Sequence, residues 1–170
     1  MRATSALTAA RATEDDVAAI ATLRTAAALR LTALHGKGHW SSPSSHKQVL
    51  RSIRNSTVVK AQNGSGVLGS LALVTKKPWA IDAAYFTAAR RPLYLLEMAV
   101  HPEAQGMGVG RFLLDEAERV ARDWPADAIR LDAYDAPAGA GNFYAKCGYV
   151  ERGRVVYRTV PLIYYERVLG

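Results

Sequence analysis

The sequence predicts a mixed α/β (α+β) fold, a sheet with helices packed on its faces, and three observations carry that prediction. Apolar residues recur at helical spacing in some stretches and alternate with a period of two in others, so both kinds of element are present. Read in chain order, the elements run β-α-α-β-β-β-α-β-α-β-β, interleaved rather than segregated. No internal repeat or interdomain linker interrupts them, and 170 residues suit one domain, residues 1–170, with a sizeable core.

Residues 6–12 form a short first strand. Thr13 with Asp16 is a variant of the capping box, and Glu14, Asp15 and Asp16 suit the positive end of a helix dipole. Val17, Ile20, Leu23, Ala27, Leu31 and Leu34 then mark a helix that ends near Gly36 and Gly38. The loop Ser41-Ser42-Pro43-Ser44-Ser45 leads into a second helix over 44–55. Residues 57–61 and 67–75 are paired strands around the turn Gln62-Asn63-Gly64-Ser65-Gly66. The insertion 76–92, with Pro78, Trp79, Tyr85, Phe86 and the pair Arg90-Arg91, reads as irregular. Residues 93–100 are a strongly apolar strand with one acid, Glu97, stopped by Pro102. A helix over 108–122 carries Phe112, Leu113, Ala117 and Val120 as its buried stripe. Ala128–Tyr134 is a strand, and 138–146 is a short helix closed by Gly148. Strands at 155–158 and 162–168, separated by Pro161, finish the chain.

Composition narrows the class. Hydrophobic residues make up 49% of the chain, which fits a folded protein rather than a disordered one. The single cysteine, Cys147, excludes an internal disulfide. Residues 1–10 lack a sustained apolar core and read as the approach to the first strand, not as a signal peptide. No uninterrupted apolar run is long enough to span a bilayer, so a soluble cytoplasmic protein with no membrane partner is expected. The net charge of +7 raises a nucleic-acid reading, but the basic residues are scattered without interleaved aromatics. A plain basic surface is expected, with no nucleic-acid partner.

The stretch Val100-His101-Pro102-Glu103-Ala104-Gln105-Gly106-Met107-Gly108-Val109-Gly110-Arg111 follows a strand and opens a helix. Its glycines let the backbone turn tightly and approach a ligand closely. The free N–H groups of the helix's first turn and the helix dipole favour phosphate, and Arg111 adds a charge-assisted donor. The spacing is wrong for the dinucleotide fingerprint, and the P-loop's Gly-Lys-Ser/Thr is missing.

Gln105-x-x-Gly108-x-Gly110, with its preceding strand, resembles motif A of the GNAT superfamily of acyl-CoA-dependent N-acetyltransferases. Phe143-Tyr144-Ala145-Lys146-Cys147-Gly148-Tyr149 is similar to the family's motif B, and the similarity covers nearly the whole chain in the family's order. The resemblance implies a mostly antiparallel central sheet flanked by helices, with splayed strands at the acyl-CoA site. It implies that the amides of Gln105, Gly106, Met107, Gly108, Val109, Gly110 and Arg111 bind the coenzyme's pyrophosphate. It implies that Met98, Ala99 and Val100 pair through their backbone with the pantetheine arm, a mode open to any exposed strand edge. Tyr144 matches the tyrosine that protonates the departing thiolate in many members. Where many members carry asparagine, seven residues before that tyrosine, this chain has Pro137.

The incoming amine, with a pKa of roughly 10.4 if it is lysine-like, must lose a proton before attack. Glu97, an acid in an apolar strand, is the leading candidate base, on the argument that a buried carboxylate needs a purpose or a partner. The competing reading makes Glu97 a structural carboxylate paired with an arginine. His101 is a weaker candidate, placed as a turn histidine. His35, His39 and His46 lack the acids or cysteine of a ligand set, so no metal is expected. Tyr134, Tyr149, Tyr157, Tyr164 and Tyr165 are assigned to the core or the substrate wall, and Trp40 to the acceptor pocket or to packing under the first helix. The tail Tyr164-Tyr165-Glu166-Arg167 belongs either to that wall or to a homodimer interface.

The expected function is transfer of an acetyl group from acetyl-CoA, the co-substrate, to the amine of a small molecule or peptide in one ternary complex. Cys147, at a helix end without a histidine beside it in the motif, is not expected to carry the acyl group. The alternative is a non-catalytic acyl-CoA-binding regulatory module.

Overall fold

The computed structural model describes residues 5–170, so part of the reading of residues 1–10 lies outside the described residues. The strands are β1 (Thr8–Arg11), β2 (Thr57–Asn63), β3 (Gly66–Val74), β4 (Pro92–Val100), β5 (Ala128–Tyr134), β6 (Val150–Tyr157) and β7 (Val160–Val168). The helices are α1 (Val17–His35), α2 (His46–Asn55), α3 (Val109–Asp123) and α4 (Gly141–Lys146), and the element order is the expected one. The strands form a seven-stranded sheet in the order β1-β2-β3-β4-β5-β7-β6. The pairs β1/β2, β2/β3, β5/β7 and β6/β7 are antiparallel, and β4/β5 is parallel. The chain divides into two compact units: everything up to Leu73 with Glu97–Ala117, and Val74–Leu96 with Glu118–Gly170.

In the first unit, β1, β2 and β3 make a meander, with Thr8 opposite Gln62 and Thr57 opposite Leu73. A 3-10 turn over Glu14–Asp16 precedes α1. The Asp16 carboxylate accepts from the Thr13 N–H at 2.8 Å, the half of the expected capping box in which the acid reaches back. It also pairs with Lys60 at 2.7 Å, which ties the start of α1 to β2. Helix α2 starts at the N-cap Ser45 with both halves of the box: Gln48 N–H to Ser45 Oγ at 3.2 Å and Ser45 N–H to Gln48 Oε1 at 2.9 Å. The core here contains Ile20, Leu23, Val49, Val58, Ala61, Leu71, Leu73 and Leu113. On α3 the buried positions include Val109, Leu113, Leu114 and Ala117, whereas Phe112 is only half-buried. The expected stripe was one position off at Phe112 because the helix rotates Leu114 inward.

Helix α1, with its preceding turn, covers Glu14–His35 and is long and apolar enough by length and composition to cross a membrane, which the sequence reading did not expect. Alanines on every face produce that composition. Within its unit the helix buries Ile20, Ala21, Leu23 and Ala28, and at mid-length it carries the buried cation Arg24.

In the second unit, β5 pairs with β7 from Ala128↔Val168 to Tyr134↔Leu162, and β6 pairs with β7 from Val150↔Glu166 to Tyr157↔Val160 with a register shift between Glu151 and Gly153. Strand β6 therefore starts before the expected 155, and Pro161 lies inside β7 opposite Val156 rather than between strands. Val120 of α3 is half-buried and Ala121 takes its expected place in the core. Helix α4 starts at Gly141 instead of 138 because 136–139 closes a tight turn, Gly139 N–H to the Ala136 carbonyl at 2.8 Å.

The insertion 76–92 is ordered by β7. The Tyr164 hydroxyl accepts from the Asp82 N–H at 3.1 Å and donates to the Ala80 carbonyl, while Ile81, Phe86, Tyr94 and Tyr164 form one apolar cluster. Beside it the fully buried Glu166 accepts from Arg130 Nε at 2.9 Å, Arg152 Nε at 3.1 Å, the Thr87 N–H at 3.2 Å and the Thr87 hydroxyl at 2.8 Å. Burial alone would raise the Glu166 carboxyl, but the hydrogen bonds from Arg130 and Thr87 outweigh it and hold it below the ordinary carboxylate range.

Glu166→Gln is expected to destabilise the protein by about 3–5 kcal/mol in denaturant unfolding, since Arg130 is left without its counter-charge. A depressed folded-state pKa means the stabilisation is complete above the unfolded value and lost as pH falls through the folded one. The variant's stability should therefore vary less with pH in the acid range than that of the unsubstituted protein.

Candidate functional site

Strand β4 leads into the glycine-rich segment. Its last residues, Met98, Ala99 and Val100, are half-buried, and the His101 N–H donates to the Leu68 carbonyl at 2.7 Å. A 3-10 turn over Pro102–Ala104 follows, capped by His101 Nδ1, which accepts the Glu103 N–H at 3.2 Å. His101 is thus the turn histidine of the sequence reading, with one ring nitrogen acting as an acceptor. The Gln105 side-chain amide donates back to the Val100 carbonyl at 3.3 Å, closing the turn against the strand.

Gly106 and Gly108 take φ of 77° and 83°, a region that side chains disfavour, and a Cβ on either would meet nothing within 4 Å. Both are there for backbone conformation, not for packing. The first helical bond of α3 runs from the Phe112 N–H to the Gly108 carbonyl at 3.0 Å. The N–H groups of Val109, Gly110 and Arg111 precede it and form the donor end of the helix. The amides of Gln105 and Met107 are already bonded to the Pro102 and Ala104 carbonyls at 3.4 and 3.3 Å, so these two are not spare donors. Of the amides from Gln105 to Arg111 that the sequence reading assigned to the pyrophosphate, these two have carbonyl partners within the turn.

Gly69 of β3 lets α3 sit close: a Cβ there would lie 2.8 Å from Leu113 Cδ1, 3.0 Å from Val109 Cγ1 and 3.1 Å from the Ala99 carbonyl oxygen. The first turn of α3 is held against the sheet by that missing side chain.

Glu97 departs from the sequence reading. Its φ of 56° breaks the two-residue alternation of β4, and its side chain is 46% exposed. The buried partner is Arg24 of α1, 8% exposed, whose Nη1 lies 3.1 Å from Glu97 Oε2, and the Ser52 hydroxyl donates to the same oxygen at 2.7 Å. Burial pulls the Arg24 pKa down and the Glu97 charge opposes that shift. The argument from a buried Glu97 therefore fails, and the geometry matches the competing reading of a carboxylate paired with an arginine. Arg24 and Ser52 were not singled out from sequence; they lie on helices whose contact with β4 has no local signature.

The second unit carries Tyr144 on α4, 7% exposed. Its ring packs on Phe143, Tyr149 and Tyr165 at centroid distances of 5.4, 5.9 and 6.0 Å. Gly141 admits Tyr165, since a Cβ there would lie 2.6 Å from the Tyr165 hydroxyl. Burial first, then the charges of Asp132 and Cys147, push the Tyr144 phenol upward, so it is protonated and a weaker acid than an ordinary phenol. The parallel ladder between β4 and β5 comprises only Pro92↔Ala128, Leu93↔Ile129 and Tyr94↔Arg130, although β5 continues to Tyr134. Pro137 is exposed and lies in the turn before α4.

Asp132 of β5 was overlooked, although it shares part of the signal used for Glu97: it is the one acid of its strand, with Arg130 two residues before it. It is half-buried and lies opposite Tyr164, and burial pushes its carboxyl up.

Trp40 donates from its indole to the Gly36 carbonyl at 3.0 Å and lies over Gly38, so it folds the loop after α1 back on itself. Among the described residues no group of three or more His, Cys, Asp or Glu side chains is placed to hold a metal.

The family model for the acetyltransferase (GNAT) domain matches residues 54–151. Solved structures with the same fold include YncA from Salmonella typhimurium with its cofactor acetyl-CoA, at 20% identity over 97% of this chain and 95% of that one, TM-score 0.69. An N-acetyltransferase from Staphylococcus aureus Mu50 shares 18% identity over 98% and 100% of the two chains, TM-score 0.72. PaiA N-acetyltransferase from Thermoplasma acidophilum, in complex with coenzyme A, shares 15% over 96% and 99%, TM-score 0.72. The chain matches no curated protein.

Two substitutions test how the loop is held. Gly108→Ala is expected to lower stability by about 1–2 kcal/mol in denaturant unfolding, through its left-handed backbone. Gly69→Ala should lower it by about 1–3 kcal/mol through overpacking against Val109 and Leu113.

Proposed function

The chain belongs to the GNAT family of acetyltransferases, and we propose that it transfers the acetyl group of acetyl-CoA to a primary amine by direct attack in a ternary complex. The donor end of α3 behind the left-handed Gly106 and Gly108 carries this reading. Phosphate oxygens suit those amides, with Arg111 beside them in sequence. The YncA and PaiA structures, solved with acetyl-CoA and coenzyme A, support the same ligand class. The backbone of Met98, Ala99 and Val100 pairs with the pantetheine amides as an added strand would.

The acceptor, a small molecule or peptide, arrives as an ammonium ion and gives up one proton. The neutral nitrogen attacks the thioester carbonyl, the C–S bond breaks as the C–N bond is completed, and the nitrogen loses its second proton. The leaving thiolate takes a proton from the Tyr144 hydroxyl, which the bulk proton pool restores. Arg24 and Ser52 already hold Oε2 of Glu97, which argues for the structural role of that carboxylate over the role of base.

Tyr144→Phe is expected to lower the rate of thiol release from acetyl-CoA, with grouped amines as acceptors, by about 10²-fold or more. Calorimetry should find its acetyl-CoA affinity unchanged. A variant as fast as the unsubstituted enzyme would rule Tyr144 out as the acid. Acetyl-CoA binding without turnover on any amine group would instead favour the regulatory module.

A further inference from the structure

We propose that Asp132 is the base that takes the proton from the acceptor ammonium, an assignment that rests on the acetyl-transfer reading above. Among the described residues Asp132 has no hydrogen bond and no ion pair, whereas Glu97 is held by Arg24 and Ser52, and Glu166 by Arg130, Arg152 and Thr87. A half-buried carboxylate with no partner is unfavourable for folding, so the packing of the protein does not explain it. An ammonium group would supply the missing partner.

Its place on the strand agrees. The β4/β5 ladder ends at Tyr94↔Arg130, and Asp132 is the next residue of β5 on the Arg130 face. The groups that face it are known. Tyr164 lies directly across on β7, with Glu166 one step along the same face. Arg130 and Tyr134 flank it on its own strand, and its charge reaches the phenols of Tyr134, Tyr144 and Tyr164. The cations beside that face, Arg130 and Arg152, are both spent on Glu166, at 2.9 and 3.1 Å, and Arg130 also on the Thr87 carbonyl. Asp132 is thus left without a neutralising charge, and its burial makes it a better proton acceptor than an ordinary carboxylate. The proposed acid, Tyr144, and the proposed base lie within electrostatic reach of each other in one unit.

The step balances. Asp132 takes one proton from R–NH₃⁺, the resulting R–NH₂ attacks the thioester carbon, and the C–S electron pair leaves with sulfur. The nitrogen sheds its second proton to solvent, the thiolate is protonated by Tyr144, which solvent reprotonates, and Asp132 returns its own proton to solvent. The net products are the amide, the CoA thiol and one proton.

The test compares Asp132→Asn with the unsubstituted enzyme, reading thiol release from acetyl-CoA with benzylamine and with hydroxylamine as probe acceptors across pH. With benzylamine, which is protonated at neutral pH, the variant should be slower by about 10²-fold or more at pH 7. The deficit should shrink as pH rises through the amine's own pKa. With hydroxylamine, already neutral at pH 7, it should be small. Carbon-13 NMR of the side-chain carboxyls in the acetyl-CoA complex needs no acceptor. Asp132, identified by the signal missing in the variant, should titrate above the ordinary carboxylate range. A rate deficit that ignores both pH and the choice of amine, or titration in the ordinary range, overturns the assignment. Failure of the unsubstituted protein to bind acetyl-CoA, read by calorimetry, would bring down the acetyl-transfer reading and the assignment with it.

Discussion

Backbone amides that a fold does not satisfy internally must find partners elsewhere, and the passage from β4 to α3 is built around that constraint. The chain closes part of the turn with its own carbonyls, at Gln105 and Met107. It then enters α3 through left-handed glycines at 106 and 108. Gly69 admits that turn against β3, and the Gln105 side chain ties it to the end of β4. A site made of main-chain donors needs this rigidity, because no side chain can readjust to aim them.

The second theme is how three carboxylates in or beside strands are treated. Glu166 is fully buried and surrounded by donors, so it is ionised and structural. Glu97 is exposed, and it is the buried Arg24 that depends on it. Asp132 is half-buried and receives neither cation nor donor among the described residues. Chemistry that moves a proton needs a group of the third kind, since a carboxylate held by arginine has little tendency to accept one.

Much of the architecture was legible in the sequence because it rests on local periodicity. The two motif regions, the β2/β3 turn and the order of eleven main elements follow from spacing, glycine and proline. The misreadings have physical causes. The stripe on α3 was displaced because apolar residues such as Phe112 and Val120 also occupy the flanks of a helix. The insertion 76–92 read as irregular because what orders it, Tyr164 and Glu166, lies about eighty residues away. Glu97 was read as buried because strict alternation was assumed, and a left-handed residue breaks it.

The sequence by itself determined the layered α/β order, the glycine-rich turn ahead of a helix, and a tyrosine in the second motif. Each is encoded in residues adjacent along the chain, where spacing maps directly onto conformation. Only the tertiary structure decided which acids are already neutralised, which amides of the loop are already bonded, and how deeply Tyr144 is buried. Those properties depend on partners brought in from distant strands and helices, and on how much water they exclude. In the glycine-rich turn, spacing marked the start of α3, and the tertiary structure decided that the Gln105 and Met107 amides close the turn itself.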